Sequence, residues 1–309
     1  MAKKNYAIGI DIGSSFTKLA LVDSLGNISN MQSFATTSFN TADDFIQTLI
    51  LNIQLIINTT DGHVLGVGVG APNANHFTGE IDHAANLPWH EVIPLKAKLE
   101  EMVDVPVKVT NDAKVAAHGE MLFGKAKGMK NFSVITLGTG VGSGIVVNGE
   151  LLYGHDGMAG EIGHIVAKQN GRPCGCGRKG CLETYASVTG IINTARKIMR
   201  ANNLPPFESG EELYDAAVSG NPMALEIFNV TGQILGNILA QVHTVISSEA
   251  YIFFGGLANA GEFLLVPTRK AFEQNLLFVY KEKMPQIMVS GLQDKNAAVL
   301  GAAAMMFGL

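Results

Sequence analysis

Cysteine is scarce in this chain of 309 residues, and its three cysteines all lie in one short segment, at Cys174, Cys176 and Cys181. With no cysteine elsewhere to pair with, a disulfide-built secreted domain is excluded, and we expect a reducing, cytoplasmic environment. Tryptophan occurs once, at Trp89. That ring would either stack on a ligand or plug its loop onto the core, and we favour the plug.

Long runs of one charge are also missing. The net charge is −5 and charged residues make up 16% of the chain, with no basic run, so the sequence does not predict a nucleic-acid partner. No apolar stretch reads as long and uncharged enough to cross a bilayer, and a strand-like run follows the first residues, so no membrane partner or signal peptide is expected. The hydrophobic fraction of 47% suffices for a large core, and the length favours two domains.

The cysteines belong to a glycine-rich segment that reads HIVAKQNGRPCGCGRKGCLE from His164 to Glu183. Three thiols and one imidazole form the tetrahedral donor set of a structural zinc site. Three unrelated buried thiols are the alternative interpretation. The C-x-C-x4-C spacing between glycines favours structural Zn²⁺, with these ligands: His164, Cys174, Cys176 and Cys181.

Two carboxylates flank this segment. Glu161 precedes His164 in the sequence GEIGH, and Glu183 follows the last cysteine. If Glu161 and His164 share a helical turn they face the same way, and a zinc-bound imidazole keeps one nitrogen free to donate. Together with Glu183 these side chains would suit the hydroxyls of a polyol. A single helix is predicted from Leu182 to Asn202.

Glycine-rich turns join two pairs of strand-like runs. The first turn lies between Gly9 and Lys18, and the second is GTGVGSG from Gly138 to Gly144. Backbone N–H groups of such turns can hold phosphate, and Asp11 could hold the water shell of Mg²⁺. The second turn does not open a helix, so it is not a dinucleotide-binding fingerprint. Two such hairpins, one in each half, indicate the actin-like phosphotransferase fold. The predicted phosphate-site residues are Asp11, Gly13, Ser14, Ser15, Lys18, Thr139, Gly140 and Gly142.

Two further junctions point to a site at the carboxyl ends of strands, where open α/β sheets bind ligands. Asn111 and Asp112 follow the strand Val107–Thr110 and open a helix. Asn111 can cap that helix, which leaves Asp112 for a functional role. Gly255 and Gly256 follow the strand Ala250–Phe254 and would permit an adenine ring to lie against the backbone.

The motif GEIGH followed by C-x-C-G-x-x-G-C-L-E resembles the ROK family of sugar kinases and sugar-sensing repressors. The segments VTNDAKVAAHGE, LGTGVGSGIVVNGELLYG and AANLPWHEV are also similar to family motifs. The resemblance implies an α/β, hexokinase-type (actin-like) phosphotransferase fold with two domains flanking a cleft and a zinc knuckle in the larger one. The smaller domain would comprise residues 1–118 and 293–309, and the larger one residues 119–292.

By the same resemblance, the protein is an ATP-dependent hexose kinase, most simply a glucokinase that acts at the 6-hydroxyl. The ligands would be hexose and ATP with Mg²⁺, the assembly a homodimer, and Asp112 the catalytic base. The implied sugar-binding residues are Asn86, Asn111, Asp112, Glu161, His164 and Glu183. The family's repressors carry a helix-turn-helix domain before the first phosphate turn, and because that turn begins at residue nine, none is expected here.

Two positions depart from the family pattern. The family usually shows Asp-x-Gly-Gly-Thr-Lys, whereas here the turn from Asp11 to Lys18 is longer, contains Ser14 and Ser15, and lacks the second glycine. Asn73 stands where the family has glycine after proline. A non-catalytic sugar sensor is the alternative function, against which the intact Asp112 argues. A kinase that uses polyphosphate would need a basic groove, and the sequence shows none.

Overall fold

The computed structural model describes residues 4–292 and 296–308. The chain forms two compact units. The first contains Met1–Gly128, Leu151–Ala159 and Gly291–Leu309, and the second contains Met129–Glu150 and Gly160–Ser290. Residues 293–295, where the second segment of the predicted smaller domain begins, lie outside the described residues.

Both units contain strands and helices. The strands are β1 Asn5–Ile12, β2 Phe16–Asp23, β3 Ile28–Ala35, β4 His63–Gly70, β5 Ile81–Asp82, β6 Val92–Ile93, β7 Val107–Thr110, β8 Phe132–Leu137, β9 Val141–Val147, β10 Glu150–Leu151, β11 Ala250–Phe254 and β12 Gln286–Val289. The helices are α1 Ala42–Thr59, α2 Leu95–Glu100, α3 Asp112–Leu122, α4 Glu183–Ala186, α5 Val188–Ala201, α6 Gly210–Val218, α7 Pro222–Ile246, α8 Glu262–Asn275 and α9 Ala297–Ala304.

Each unit is built on a five-stranded sheet, and the two sheets have the same strand order. The first runs β3-β2-β1-β4-β7 and the second β10-β9-β8-β11-β12. In both, an antiparallel hairpin (β1–β2, β8–β9) continues into two parallel strands. The strand–turn–strand repeat predicted from the two glycine-rich turns is therefore confirmed.

Helices α9 and α1 pack closely against the two faces of the first sheet. Helix α9 lies so close to β1 and β4 that an added Cβ at Gly9 would lie 1.9 Å from the Val299 carbonyl oxygen, and one at Gly68 would lie 1.8 Å from the Ala302 carbonyl oxygen. Only glycine permits this approach of backbone to backbone. On the other face, α1 buries its apolar stripe, including Phe45, after Thr41 caps its first turn.

Trp89 fills the core of the first unit. It is 5% exposed, its ring centroid lies 4.8 Å from that of Phe45, and its Nε1 donates to the Phe39 carbonyl oxygen at 3.2 Å. The indole thus satisfies its one polar group while it fixes the loop between β4 and α2. The interpretation of Trp89 as a plug is confirmed.

Helix α7 dominates the second unit. By length and composition it would be apolar enough to cross a membrane, contrary to our expectation from the sequence, but 61% of its most apolar window is buried inside the protein. It packs along α8, with Gly232 and Gly236 facing Pro267 and Thr268 at short range. The burial accounts for its hydrophobicity, since a core helix is apolar on most sides.

Two predictions of local structure were wrong. Residues 141–144 belong to strand β9 and not to the glycine-rich turn, because Val141 pairs with Leu137 and shortens the turn to Gly138–Gly140. The predicted helix Leu182–Asn202 is broken at Ser187, whose extended backbone ends α4 and whose Oγ caps α5. The amide of Val188 then donates to the Gly138 carbonyl oxygen at 2.8 Å.

Candidate active site

Two aspartates meet at one edge of the first sheet. Asp11 is near the end of β1, in register with Gly70 on β4, and Gly70 is in register with Thr110 at the end of β7. Asp112 opens α3 two residues beyond Thr110, and Asn111 caps that helix by accepting from the Lys114 amide at 2.9 Å. Asn111 therefore caps the helix as predicted, and the functional role of Asp112 stays a prediction.

The local environment raises the pKa of both acids. Burial and the charge of Asp112 raise the pKa of Asp11 to about 6, against the opposing effect of Lys18. Asp112 keeps accessible surface, yet the protein surrounds it closely enough that lost hydration raises the pKa of its carboxyl. The amide of Ala113 donates to Asp112 Oδ1 at 2.7 Å and opposes the shift. An acid with a raised pKa is suited to accepting a proton.

The turn of the first hairpin consists of Gly13, Ser14 and Ser15. The Gly13 amide donates to the Phe16 carbonyl oxygen at 3.1 Å, and a Cβ at Gly13 would lie 2.8 Å from that oxygen. Ser14 and Ser15 are exposed and keep ordinary negative φ angles, so serine fits this turn without strain. Lys18 lies opposite Asp11 across the hairpin.

The second hairpin turns through Gly138, Thr139 and Gly140. The Gly138 amide donates to the Gly140 carbonyl oxygen at 3.0 Å, and Thr139 at the tip is exposed. Beyond the turn, the Gly142 amide donates to Thr136 Oγ1 at 3.1 Å. The next amide after Gly140, that of Val141, donates to Glu183 Oε2 at 3.1 Å.

The four predicted zinc ligands cluster. One donor atom from each residue lies within 4.8 Å of the others. Cys176 Sγ is 3.6 Å from Cys181 Sγ, and Cys174 Sγ is 3.6 Å from His164 Nδ1. Tetrahedral coordination at a Zn–S distance of about 2.3 Å separates the ligand atoms by about 3.8 Å, so this donor set fits Zn²⁺. Nδ1 faces the cluster, which leaves Nε2 of His164 for another partner.

The local environment shifts the pKa values of two of the thiols in opposite directions. Hydrogen bonds from Arg178 lower the pKa of Cys176 to about 6, whereas burial raises the pKa of Cys174 to about 12. A bound Zn²⁺ would reverse the second shift, since a metal-bound thiol is deprotonated. Arg178 also donates to the His164 carbonyl oxygen at 2.8 Å and so ties both ends of the cluster.

Glu161 and Glu183 occupy different environments. Glu161 is exposed and precedes the 3-10 turn Ile162–His164. Glu183 is half-buried, and besides the Val141 amide it contacts Cys174, whose Sγ lies 3.6 Å from Oε1. Glu183 therefore connects the metal cluster, our name for the four predicted zinc ligands His164, Cys174, Cys176 and Cys181, with the second hairpin.

Arg172 is a residue of this region that the sequence analysis missed. Its guanidinium donates to the carbonyl oxygens of Thr184 and Gly190 and to Thr194 Oγ1, at 2.7 to 3.0 Å, and lies over the Tyr185 ring. These bonds fix the metal loop, residues 165–182, to helices α4 and α5. The partners are distant in sequence and mostly backbone, so no motif signals them.

A cavity of about 520 Å³ lies beside Gly256 in the second unit. Its walls are mostly apolar. Gly255, the residue before Gly256, has a positive φ of 101°. Of the two glycines predicted to contact adenine, Gly256 lines this cavity and Gly255 does not, and several wall residues were not predicted. The lining includes Val188, Glu211, Tyr214, Phe228, Leu257 and Asn259.

Asn86 lies in the loop after β5 and is exposed. Asn73 lies in the preceding loop, between β4 and β5, where it has a φ of 52° and its Nδ2 donates to the Asp82 carbonyl oxygen at 3.2 Å. Asparagine tolerates this left-handed conformation better than other residues with a Cβ. Asn73 therefore takes the backbone conformation that a glycine would allow, and the departure noted in the sequence leaves this turn intact.

Known proteins match the chain over nearly its whole length. A model of the ROK family matches residues 7–308. A glucokinase of Halalkalibacterium halodurans is 37% identical over 284 residues, which cover 86% of this chain and 84% of that protein. A xylose repressor of Caldicellulosiruptor bescii is 27% identical, over 96% of this chain and 77% of the repressor.

Among solved structures, a ROK family glucokinase from Streptomyces griseus in complex with glucose and AMPPNP is similar, with a TM-score of 0.77 and 32% identity. The alignment covers 97% of this chain and 98% of that one. The predicted hexokinase-type, actin-like fold is thereby confirmed, as is the family resemblance.

Proposed function

Because the chain belongs to the ROK family, we propose that it is a sugar kinase that transfers the γ-phosphoryl group of ATP to the 6-hydroxyl of a hexose, with glucose as the first candidate. The observation that carries the proposal is Asp112, a carboxylate of raised pKa held at a strand end by a separate cap. Relatives named glucokinase, one of them bound to glucose and AMPPNP, support the choice of sugar and donor.

We propose that each unit contributes part of the chemistry. The first would supply Asn86, Asn111 and Asp112 to the sugar, and the first hairpin with Asp11 and Lys18 to the phosphates. The second would supply Glu161, His164 through Nε2, and Glu183 to the sugar. The second hairpin would hold phosphate, and Gly255 and Gly256 the adenine. These units would correspond to the smaller and larger domains predicted from the sequence.

Asp112 would act as a general base. As the sugar oxygen attacks the γ-phosphorus, the hydroxyl proton passes to the carboxylate, the P–O bond to ADP breaks, and ADP leaves with that electron pair. Phosphoryl transfer asks little covalent chemistry of a protein, so alignment and charge neutralisation supply most of the effect. The raised pKa of Asp112 makes it a better proton acceptor than an ordinary carboxylate.

Two metal ions belong to the proposal in different roles. Mg²⁺ bound with ATP would neutralise the phosphate charge, and Asp11 is suited to its water shell because oxygen ligands suit Mg²⁺. Zn²⁺ would be structural, held by the three cysteines and His164. No open coordination position is needed for it, since four protein ligands close the tetrahedron.

The remaining partners follow from composition and class. We propose hexose and ATP as ligands, a homodimer as the assembly and the cytoplasm as the location. No nucleic-acid partner is included, because the net charge is −5 and basic residues form no run. No membrane partner is proposed either, since most of the apolar helix α7 is buried inside the protein.

The test is release of ADP, followed with a coupled assay over a panel of glucose, mannose, fructose and N-acetylmannosamine. We expect turnover with at least one of them, and a loss of about 10²- to 10⁴-fold in Asp112→Asn, which keeps the shape but cannot accept the proton. Sugar binding in that variant should stay within about tenfold, because an amide still bonds a hydroxyl. Asp104→Asn, an exposed aspartate of the same unit, serves as the matched control.

A sugar sensor without catalysis is the second candidate, favoured only by the similarity to repressors. It predicts tight sugar binding by calorimetry and no ADP release with any hexose. Normal turnover by Asp112→Asn would instead leave the kinase in place and remove Asp112 as its base.

A further inference from the structure

Glu183 contacts two sites that the proposed function keeps separate. Its Oε2 accepts from the Val141 amide at 3.1 Å, at the end of the second hairpin, and its Oε1 is 3.6 Å from Cys174 in the metal cluster. A Cβ added to Gly140 would lie 2.3 Å from Oε2, so the carboxylate lies directly against the turn. A proposed sugar ligand therefore occupies the backbone donor that directly follows the turn of the proposed phosphate site.

This placement sets up a conflict of charge. The amides of a glycine-rich turn attract phosphate because their N–H dipoles converge. The Glu183 carboxylate occupies the adjacent Val141 amide and adds negative charge beside the turn, which weakens the attraction for phosphate. Glu183 thus opposes nucleotide binding as long as its charge is directed at Val141.

A sugar would relieve that conflict. When hydroxyl groups donate to the Glu183 carboxylate, they draw its charge away from the turn, whether the side chain rotates or stays in place. We propose that Glu183 couples the two substrates, so that a bound sugar raises the affinity of the second hairpin for nucleotide. By linkage, nucleotide raises the affinity for sugar by the same factor.

Glu161 offers a matched comparison within the same unit. It is the other glutamate proposed to bind the sugar, but it is exposed and lies on the opposite side of the metal ligands in sequence. Among the described residues no hydrogen bond joins its carboxylate to the hairpin. Substitution of Glu161 should therefore weaken sugar binding without changing the coupling.

The coupling rests on the proposed function and can be measured without turnover. Calorimetry gives the Kd of magnesium AMPPNP with and without saturating sugar, using the best sugar of the panel, or glucose if none is turned over. We expect a ratio of about fivefold or more in the wild type, the lower end of common coupling factors. Glu183→Gln should bind AMPPNP more tightly than wild type without sugar, and its ratio should approach one. Glu161→Gln should keep the wild-type ratio once sugar saturates.

A second variant addresses the contact without altering Glu183. Gly140→Ala places a methyl group where the carboxylate now lies, and the three atoms nearest to that position all belong to Glu183. A direct effect of the methyl group on phosphate binding changes the AMPPNP Kd equally with and without sugar, so it cancels in the ratio of the two Kd values. Since the methyl group displaces the carboxylate, that ratio should again approach one. A wild-type ratio of one, or full coupling in both Glu183→Gln and Gly140→Ala, would overturn the proposal. ADP release by a kinase without coupling would reject the coupling alone, whereas coupling without ADP release would reject the kinase alone.

Discussion

The two sheets share one strand order but carry their charged groups in different ways. In the first sheet the acids belong to the sheet and its adjoining helix, with Asp11 on β1 and Asp112 directly after β7. In the second, the equivalent hairpin β8–β9 contains no charged residue. Its nearby carboxylate is Glu183, which comes from the segment beyond the metal loop.

The difference shows how one duplicated topology can hold two tasks. The pKa of an acid at the end of a strand is set by the fold around that strand. For Asp11 the causes are its burial and the neighbouring charge of Asp112. An acid on an inserted loop has its position set by whatever fixes that loop. In the second unit this is the metal cluster together with Arg172, so its site should depend on zinc while the first site should not.

Among the changes that test this comparison of the two units, loss of the metal should have the largest effect. Wild-type protein is expected to contain one zinc per chain by elemental analysis, and Cys176→Ser to contain none, because three ligands hold the ion far less tightly than four. Sugar affinity should fall by about 10- to 100-fold, the usual range when the surroundings of a metal site are disturbed. No cysteine needs to touch the sugar for this to occur.

Lys179→Ala is the control for that experiment, since this exposed residue lies in the same loop outside the ligand set. Hydrogen exchange sharpens the comparison between the units. In Cys176→Ser, amides near residues 164–187 should lose protection, and those of β1 and β7 should not. Freshly purified wild type without zinc, or a metal-free variant with unchanged sugar affinity, would refute the dependence.

A smaller effect, on stability alone, should distinguish the first unit. Gly68→Ala would place a methyl group 1.8 Å from the Ala302 carbonyl oxygen, so α9 must move away from the sheet. Overpacking of this kind costs about 1–3 kcal/mol, and a backbone neighbour that cannot rotate away puts this site at the upper end. Denaturant unfolding should show a lower midpoint, with β1 and β4 amides losing protection before those of β8 and β11.

Gly210→Ala supplies the contrast in the second unit. It is the first residue of α6, and its added Cβ would meet only Val188 Cγ1, at 3.8 Å. Alanine favours a helix over glycine by up to about 1 kcal/mol, so this variant should be neutral or slightly stabilised. Equal midpoints for Gly68→Ala and wild type would mean that α9 adjusts freely.

Local signals were sufficient for several parts of this molecule. Asn111 was predicted as a helix cap because the capping bond spans only three residues, and that bond forms. The metal ligands were readable because three of the four lie close together in sequence. A short sequence window contains all the atoms of such features, so spacing alone specifies them.

Features that depend on distant partners were not predictable. The break at Ser187 forms because Val188 donates to Gly138, about fifty residues earlier, and helix propensity alone does not reveal that bond. The bonds of Arg172 to Thr184 and Gly190 are of the same kind. The shortened turn at Val141 depends on strand pairing, which overrides the glycine content of the segment.

The smallest expected effect concerns the tip of the first hairpin, where the turn is longer than the family's and lacks its second glycine. Ser14→Gly removes an exposed hydroxyl that we predict to line the phosphate site, and the turn needs no positive φ there, so glycine brings no compensating fit. The KM for ATP should rise about 3- to 10-fold, the value of roughly one hydrogen bond, while the KM for hexose stays within about twofold. Ser24→Gly, in the exposed turn after β2, controls for the added backbone freedom. An unchanged KM for ATP would show that the first hairpin is structural at Ser14, and that phosphate recognition depends more on the second hairpin than the matching strand orders suggest.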